Sequence, residues 1–301
     1  MWMMRRLKVW FMETRPSFLL LTPLVYSIGL ASALVDGFLK PLNALLGLLG
    51  ALLAHISVNV LNDYFDYKSG LDLKTRRTPF SGGSGILPEG LLNPGRVYLL
   101  GLSTLLLGCL IGVYFLITLG LQLLLIVVPA ALTVYLYTTH LSHWYVGELF
   151  AGLNFGPLMA LGAYYLQSGR LGLTPVLPAV IPGILVGTLL FLNEFPDVEA
   201  DLSVGRRNLV ILLGRRRASR LYALLIASAY LYLILSTFWG LLPKTCLIVL
   251  LTLPIASKAV RGVLSHHDDV AAMIPAMASN VLLVLSTIAL TSLGLCLSII
   301  L

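Results

Sequence analysis

Nine apolar stretches, at roughly 17–35, 42–66, 97–118, 120–139, 146–167, 174–195, 218–239, 243–263 and 274–300, fill most of this 301-residue chain. As a helix, each is long enough to cross a hydrocarbon layer of about 30 Å. No water is available inside that layer, so every backbone N–H and C=O must be paired within the segment, and runs of this length read as helices. Charged residues make up only 11% of the chain, against about 25% in an ordinary soluble domain. The sequence predicts an all-α polytopic membrane protein with nine transmembrane helices. The first stretch lacks a small-residue cleavage site and is expected to be retained as a span.

Charge sets the expected orientation. Lys and Arg number 20. With the N-terminus in the cytoplasm, 17 of them fall on the inner side: Arg5, Arg6, Lys8 and Arg15 before the first span; Lys68, Lys74, Arg76, Arg77 and Arg96 after the second; Arg206, Arg207, Arg215, Arg216, Arg217 and Arg220 after the sixth; Lys258 and Arg261 after the eighth. Only Lys40, Arg170 and Lys244 fall outside. An excess of this size on one side predicts a cytoplasmic N-terminus in a multi-pass protein of the cell membrane. The net charge of +7 is mostly this bias and calls for no nucleic acid partner. Cys109, Cys246 and Cys296 lie in apolar spans without metal-site spacing and read as inert thiols.

Against this background the acidic residues are concentrated. Of 13, seven fall in two clusters: Asp63, Asp66 and Asp72, and Glu194, Asp197, Glu199 and Asp201. The clusters share a pattern of Asn, acid, aromatic, any residue, Asp, at Asn62–Asp66 and Asn193–Asp197. On a helix, Asn59, Asn62, Asp63 and Asp66 lie on one face, with His55 one turn earlier. Asn193, Asp197 and Asp201 also share a face if the sixth helix runs on through Pro196. Four spans separate the clusters, which returns the chain to the same side. That spacing suggests one intramembrane domain over 1–301, with parallel repeats at about 17–139 and 146–263 and a ninth helix at 274–300. Both clusters would then face a central cavity that opens to the cytoplasm.

Carboxylates at the ends of apolar helices cost a few kcal/mol each unless compensated. Oxygen-rich sites suit hard divalent cations such as Mg²⁺. Bound Mg²⁺ would reconcile these carboxylates with an anionic diphosphate and neutralise charge on it as a leaving group. Lys68, Arg76, Arg77, Arg206 and Arg207, in the flanking loops, are candidates to hold its outer oxygens. Asn193 and, by helical phase, Asn59 join them as candidate substrate contacts. Tyr135 and Tyr137, with Tyr64 and Phe65, are candidates to steady a developing cation. His140 and His143 are loop candidates for a proton acceptor. Glu148 reads as a cap on the fifth helix, and His266-His267-Asp268-Asp269 as a solvated loop.

The run Asn62-Asp63-Tyr64-Phe65-Asp66-Tyr67-Lys68-Ser69-Gly70-Leu71-Asp72 resembles the first Asp-rich motif of the UbiA-type intramembrane prenyltransferases. Asp197-Val198-Glu199-Ala200-Asp201 resembles their second, DxxxD. Five residues separate Asp66 from Asp72, where the 4-hydroxybenzoate-type members usually have three. The segments Gly147-Glu148-Leu149 to Phe155-Gly156-Pro157, Gly162-Ala163-Tyr164-Tyr165 and Gly205-Arg206-Arg207-Asn208-Leu209-Val210 to Leu213-Gly214 are similar to the 1,4-dihydroxy-2-naphthoate prenyltransferase branch. That branch often has GKRTL where this chain has Arg207-Asn208.

The resemblance implies Mg²⁺ as cofactor and, as substrates, a prenyl diphosphate and an aromatic acceptor, with transfer occurring in the bilayer, in menaquinone or related quinone biosynthesis. It assigns Asn62, Asp66 and Asp72, with Asp63 beside them, to a first metal-diphosphate site. Asp197 and Asp201 form the second, and Lys68 matches a basic position on the diphosphate. Two alternatives stay open. The acceptor could be 4-hydroxybenzoate, a glycerol-phosphate lipid ether, a haem or a chlorophyllide. In another class, Asp-lined halves could serve a cation-coupled secondary transporter.

Overall fold

A computed structural model of the chain describes residues 2–75, 77–139 and 145–301, without the side chains of 2–5 and 134–139. All regular structure among these residues is helical. Helix α1 (Trp2–Glu13) precedes a first span made of α2 (Pro16–Leu19) and α3 (Leu21–Val35). Next come α4 (Pro41–Lys68) and α5 (Pro94–Leu119), then a 3₁₀ turn (Leu121–Leu123) leading into α6 (Leu124–Thr139). Helix α7 (Gly147–Leu153), a π-helical turn (Asn154–Leu158) and α8 (Met159–Ser168) form one span, followed by α9 (Val176–Asn193). Two short helices, α10 (Val198–Ser203) and α11 (Leu209–Leu213), lead to α12 (Arg215–Phe238). A 3₁₀ stretch (Lys244–Thr252) continues into α13 (Leu253–Ser265), and α14 (Val270–Leu297) completes the chain.

Among the described residues, eight helices are long and apolar enough to cross a membrane. They coincide with eight of the nine stretches expected. The remaining one, expected at 120–139, is an apolar helix of shorter described extent, Leu121–Thr133. The molecule is an all-helical, multi-pass membrane protein.

Helix ends follow local chemistry. Asn93 begins α5 by accepting the Gly95 N–H at 2.9 Å, and Asp269 begins α14 by accepting that of Ala272 at 3.1 Å. Both satisfy N–H groups that a first helical turn leaves unpaired. The centre of the bundle is α9, which packs on α7, the π turn, α12 and α14. About half of α9, of α14 and of the first span is buried, against 17% of α5, so α5 lies at the periphery and pairs chiefly with α4.

Small residues let the central helices approach. A Cβ on Gly152 would lie 2.4 Å from the Gly183 carbonyl oxygen, and one on Gly156 2.6 Å from the Gly183 Cα. Close backbone contact of this kind replaces the hydrophobic driving force that lipid does not supply. A like approach at Gly187, where a Cβ would lie 3.0 Å from the Glu148 carbonyl oxygen, sets the start of α7 against the second half of α9. Gly156→Val is therefore expected to wedge α9 outward and destabilise the fold by about 1–3 kcal/mol. Thermal unfolding in detergent checks this, with Gly112→Ala, at a position where a Cβ meets nothing within 4 Å, as the unchanged control.

Candidate active site

Both acidic clusters line one cavity of about 310 Å³. Asp66 sits in the last turn of α4. Asp72 sits just beyond it, its N–H donating to the Asp66 carbonyl at 3.3 Å. Asp197 and Asp201 arrive differently from the sequence expectation. Helix α9 stops at Asn193, residues 194–197 turn, and α10 starts at Val198. The sixth helix thus breaks rather than kinking at Pro196, whose missing N–H and ring disfavour a continuous ladder. The turn and the new helix still bring Asn193, Asp197 and Asp201 to the same cavity as Asn59, Asn62, Asp66 and Asp72.

Arg206 ties the clusters together. Its N–H donates to the Asp201 carbonyl at 2.9 Å, while its guanidinium reaches across to ion-pair with Asp66. Asn208 donates to Asp201 Oδ2 at 2.9 Å and accepts from the Ile211 N–H at 2.9 Å. It caps α11 and orients a site carboxylate with one side chain. Arg207 and Arg15 also line the cavity.

The electrostatics are those of an acidic pocket with too little positive charge. Six carboxyl side chains (Asp66, Asp72, Glu148, Glu194, Asp197 and Asp201) face three arginines. Burial, and then the neighbouring Asp66, push Asp72 up to about 7 against the pull of Arg15 and Arg206. Burial, and then Asp201, push Asp197 up to about 7. Burial raises Asp201 to about 6, with Arg206 partly offsetting it. Burial also raises Glu194 well above the carboxylate range, and Glu148 adds to the effect. Asp197 Oδ1 is buried with no donor.

Such a set fits a hard divalent cation. Among the described residues, no three His, Cys, Asp or Glu side chains gather closely enough to enclose an ion. An ion here would take one or two protein oxygens and complete its shell with water or ligand oxygens, which is how Mg²⁺ is commonly held.

Three of the expected contacts lie elsewhere. Asp63 is buried behind the cavity wall, accepting the Ser84 N–H at 3.0 Å and facing Arg15 at 3.5 Å. It anchors the loop rather than lining the cavity. Lys68 is exposed beyond the lining residues. It is the last residue of α4, where the helix ends in solvent. Arg77 pairs with Glu89 at 2.6 Å and does not line the cavity. Glu148 lies in the first turn of α7 and also lines the cavity, where its Oε1 accepts the Leu209 N–H at 3.0 Å. Arg76, His140, His143 and the side chains of Tyr135 and Tyr137 lie outside the described residues.

Sequence reasoning missed the N-terminal strap. Thr14 carbonyl accepts from Asn59 at 3.1 Å. Glu13 is fully buried and accepts from Ser84 Oγ at 3.0 Å. Arg15 adopts a left-handed backbone (φ 55°) and stacks over Phe18 at 4.9 Å. Non-glycine residues rarely adopt that conformation, and it commonly marks functional sites. No sequence pattern surrounds Glu13, and Arg15 read only as a topology charge. The loop it meets folds over Asp72: Gly83, with φ +71°, is so close that a Cβ would lie 3.2 Å from both carboxylate oxygens.

From Asp66 the cavity runs inward along α4 past Asn62, Asn59 and Val58 to His55, about 16 Å at 1.5 Å per residue. Its inner walls are apolar: Phe18, Leu21, Phe155, Val186 and Leu189. His55 is held by the Thr22 hydroxyl at 2.7 Å and lies edge-on to Phe155 at 4.8 Å. A charged mouth with a long apolar interior suits an amphiphile with an anionic head.

Comparison with known proteins agrees. The chain belongs to the UbiA prenyltransferase family, whose characteristic sequence it matches over residues 20–281, and it is a prenyltransferase. It is 30% identical to the 1,4-dihydroxy-2-naphthoate octaprenyltransferase of Escherichia coli over 280 residues, 88% of each chain. It is 30% identical to the Bacillus subtilis enzyme of the same name over 223 residues, 73% of this chain and 70% of that one. A UbiA homologue from Archaeoglobus fulgidus, solved with DMAPP and Mg²⁺ bound, superposes with a TM-score of 0.66 at 14% identity, covering 95% of this chain and 98% of that one.

Glu13 supplies a prediction away from the cavity lining. Burial, and then Asp63, push it up to about 8, against an ordinary value of 4.5. The folded chain therefore holds this proton to higher pH than the unfolded chain does, and stability is lost as pH rises through that window. The melting-temperature gain of Glu13→Gln over wild type should grow from pH 5 to pH 8 and level off above. A pH-independent difference would show that the carboxyl is not buried as an acid.

Proposed function

We propose that this chain transfers an isoprenyl group from a prenyl diphosphate to an aromatic ring in the cavity, with 1,4-dihydroxy-2-naphthoate or a close analogue as acceptor, in quinone biosynthesis. The carrying observation is that both acidic clusters line one cavity and that Arg206 joins them. The two naphthoate octaprenyltransferases support the acceptor. The Archaeoglobus structure supports the diphosphate and the metal.

In this reading Asn62, Asp66 and Asp72 form one side of the diphosphate site, and Asp197 and Asp201 the other. Bound Mg²⁺ would screen these carboxylates from the diphosphate and neutralise charge on it as it departs. Arg206, Arg207 and Arg15 hold its outer oxygens, Arg206 exchanging Asp66 for phosphate oxygen. Asn59 and Asn193 line its path. The apolar interior receives the isoprenoid tail and keeps water from the allylic cation formed as the bond to diphosphate breaks. The electron-rich ring carbon then attacks that cation, and the ring loses a proton, or CO₂ if that carbon bears the carboxylate. The dominant contribution is electrostatic, aimed at leaving-group charge, and the alignment of ring and tail adds to it. We place the mouth on the cytoplasmic side, following the distribution of Lys and Arg.

Purified protein in detergent, given a prenyl diphosphate and the naphthoate, should release diphosphate and form prenylated product by mass only with Mg²⁺ present. Asp66→Ala and Asp197→Ala should each lower turnover by at least about 100-fold while eluting as folded protein. Wild-type rates in both would refute the site, and product from a non-aromatic lipid alcohol alone would refute the acceptor.

A further inference from the structure

One part of the cavity is not used by the diphosphate reading. Glu148, in the first turn of α7, and Glu194, just past the end of α9, both line the cavity. The two carboxyl groups act on each other, Glu148 raising Glu194. Glu148 is 5% exposed. Its Oε1 is fixed by the Leu209 N–H at 3.0 Å, but Oε2 has no donor, and neither does Glu194 Oε2. A buried carboxylate oxygen without a donor costs free energy. Glu148, Asp201 and Asp197 all act on Glu194 as like charges. This corner therefore repels a diphosphate and attracts a hydrogen-bond donor.

We infer that Glu148, backed by Glu194, is the acceptor-binding residue: its free Oε2 receives a ring hydroxyl of the aromatic acceptor. The inference rests on the prenyl-transfer reading above and adds the residue that selects a hydroxylated ring. A hydroxyl donating to a carboxylate pushes electron density into its ring, which strengthens the carbon nucleophile that the allylic cation needs. The same bond supplies the donor that Oε2 lacks and orients the ring beside the apolar wall formed by Ala151 and Leu190. A ring without the hydroxyl would leave that oxygen buried and unpaired, which disfavours it as a substrate.

Glu148→Gln tests this directly. Glutamine keeps an oxygen for Leu209 and turns an NH₂, which cannot accept, toward the cavity. We expect the KM for a hydroxylated naphthoate to rise about 10- to 100-fold, the loss of a hydrogen bond to a charged group. The KM for prenyl diphosphate should stay within about twofold, since that site is untouched. Methylating the acceptor hydroxyl should raise KM in wild type and make no further difference in the variant. An unchanged acceptor KM, or a rise confined to prenyl diphosphate, overturns the assignment. If Glu148→Gln does not elute as folded protein, Glu194→Gln carries the same measurements, and an unchanged acceptor KM there is equally decisive against it. Wild-type protein that releases no diphosphate with any aromatic acceptor would instead refute the functional reading, and this inference falls with it.

Discussion

Carboxylates gathered in a low-dielectric cavity repel one another and lose hydration, so each resists ionising until something positive arrives. Much of this structure answers that constraint. Arg206 spans the two clusters, Asn208 pins Asp201, and Arg15 is held in a left-handed backbone conformation beside Asp63 and the cavity. These groups fall short of balancing six acids, and burial with the neighbouring carboxylates pushes Asp72 and Asp197 up to about 7. A site left acidic in this way is primed for divalent cations and an anionic head group together, since neither alone satisfies both the carboxylates and the arginines.

The fold is arranged to hold that imbalance at one end of the bundle. Glycine contacts draw α7 against α9, which sets Glu148 facing the residues that follow α9. The break after Asn193 lets α10 present Asp197 and Asp201 from a short helix of its own rather than from the side of a long span. Residues 77–92 fold back so that Gly83 covers Asp72 and Ser84 bridges Asp63 and Glu13. Away from the mouth the walls turn apolar, with His55 at the inner end paired to Thr22. The carboxylates and arginines are thereby concentrated at the mouth, with apolar walls beyond them.

Much of this was legible in the sequence, for physical reasons. Long apolar runs admit few structures in a bilayer, so the spans stood out. The i, i+3, i+4, i+7 spacing of Asn59, Asn62, Asp63 and Asp66 defined a face, and three of the four line the cavity. Asp63 lay at the edge of that face and was turned aside by the Ser84 N–H, a contact made by a loop whose path no periodicity encodes. Helical phase also misjudged the second cluster, because a proline inside an apolar run can either kink or end a helix. Glu13 and Glu148 were opaque for another reason: each is an isolated acid whose partners lie 71 and 61 residues away. Lys68 and Arg77 show that a basic residue next to a motif reports the side of the membrane as readily as it reports a ligand.

The central claim is that one diphosphate is gripped from both clusters at once. Equilibrium binding of an unreactive prenyl thiodiphosphate at fixed Mg²⁺, measured for wild type, Asp66→Asn, Asp197→Asn and the double variant, tests it most directly. A shared head group predicts strongly non-additive losses, with a coupling of about 1–3 kcal/mol between the two positions. Losses that add to within about 0.5 kcal/mol would mean that the clusters act on separate ligands, and would contradict the account.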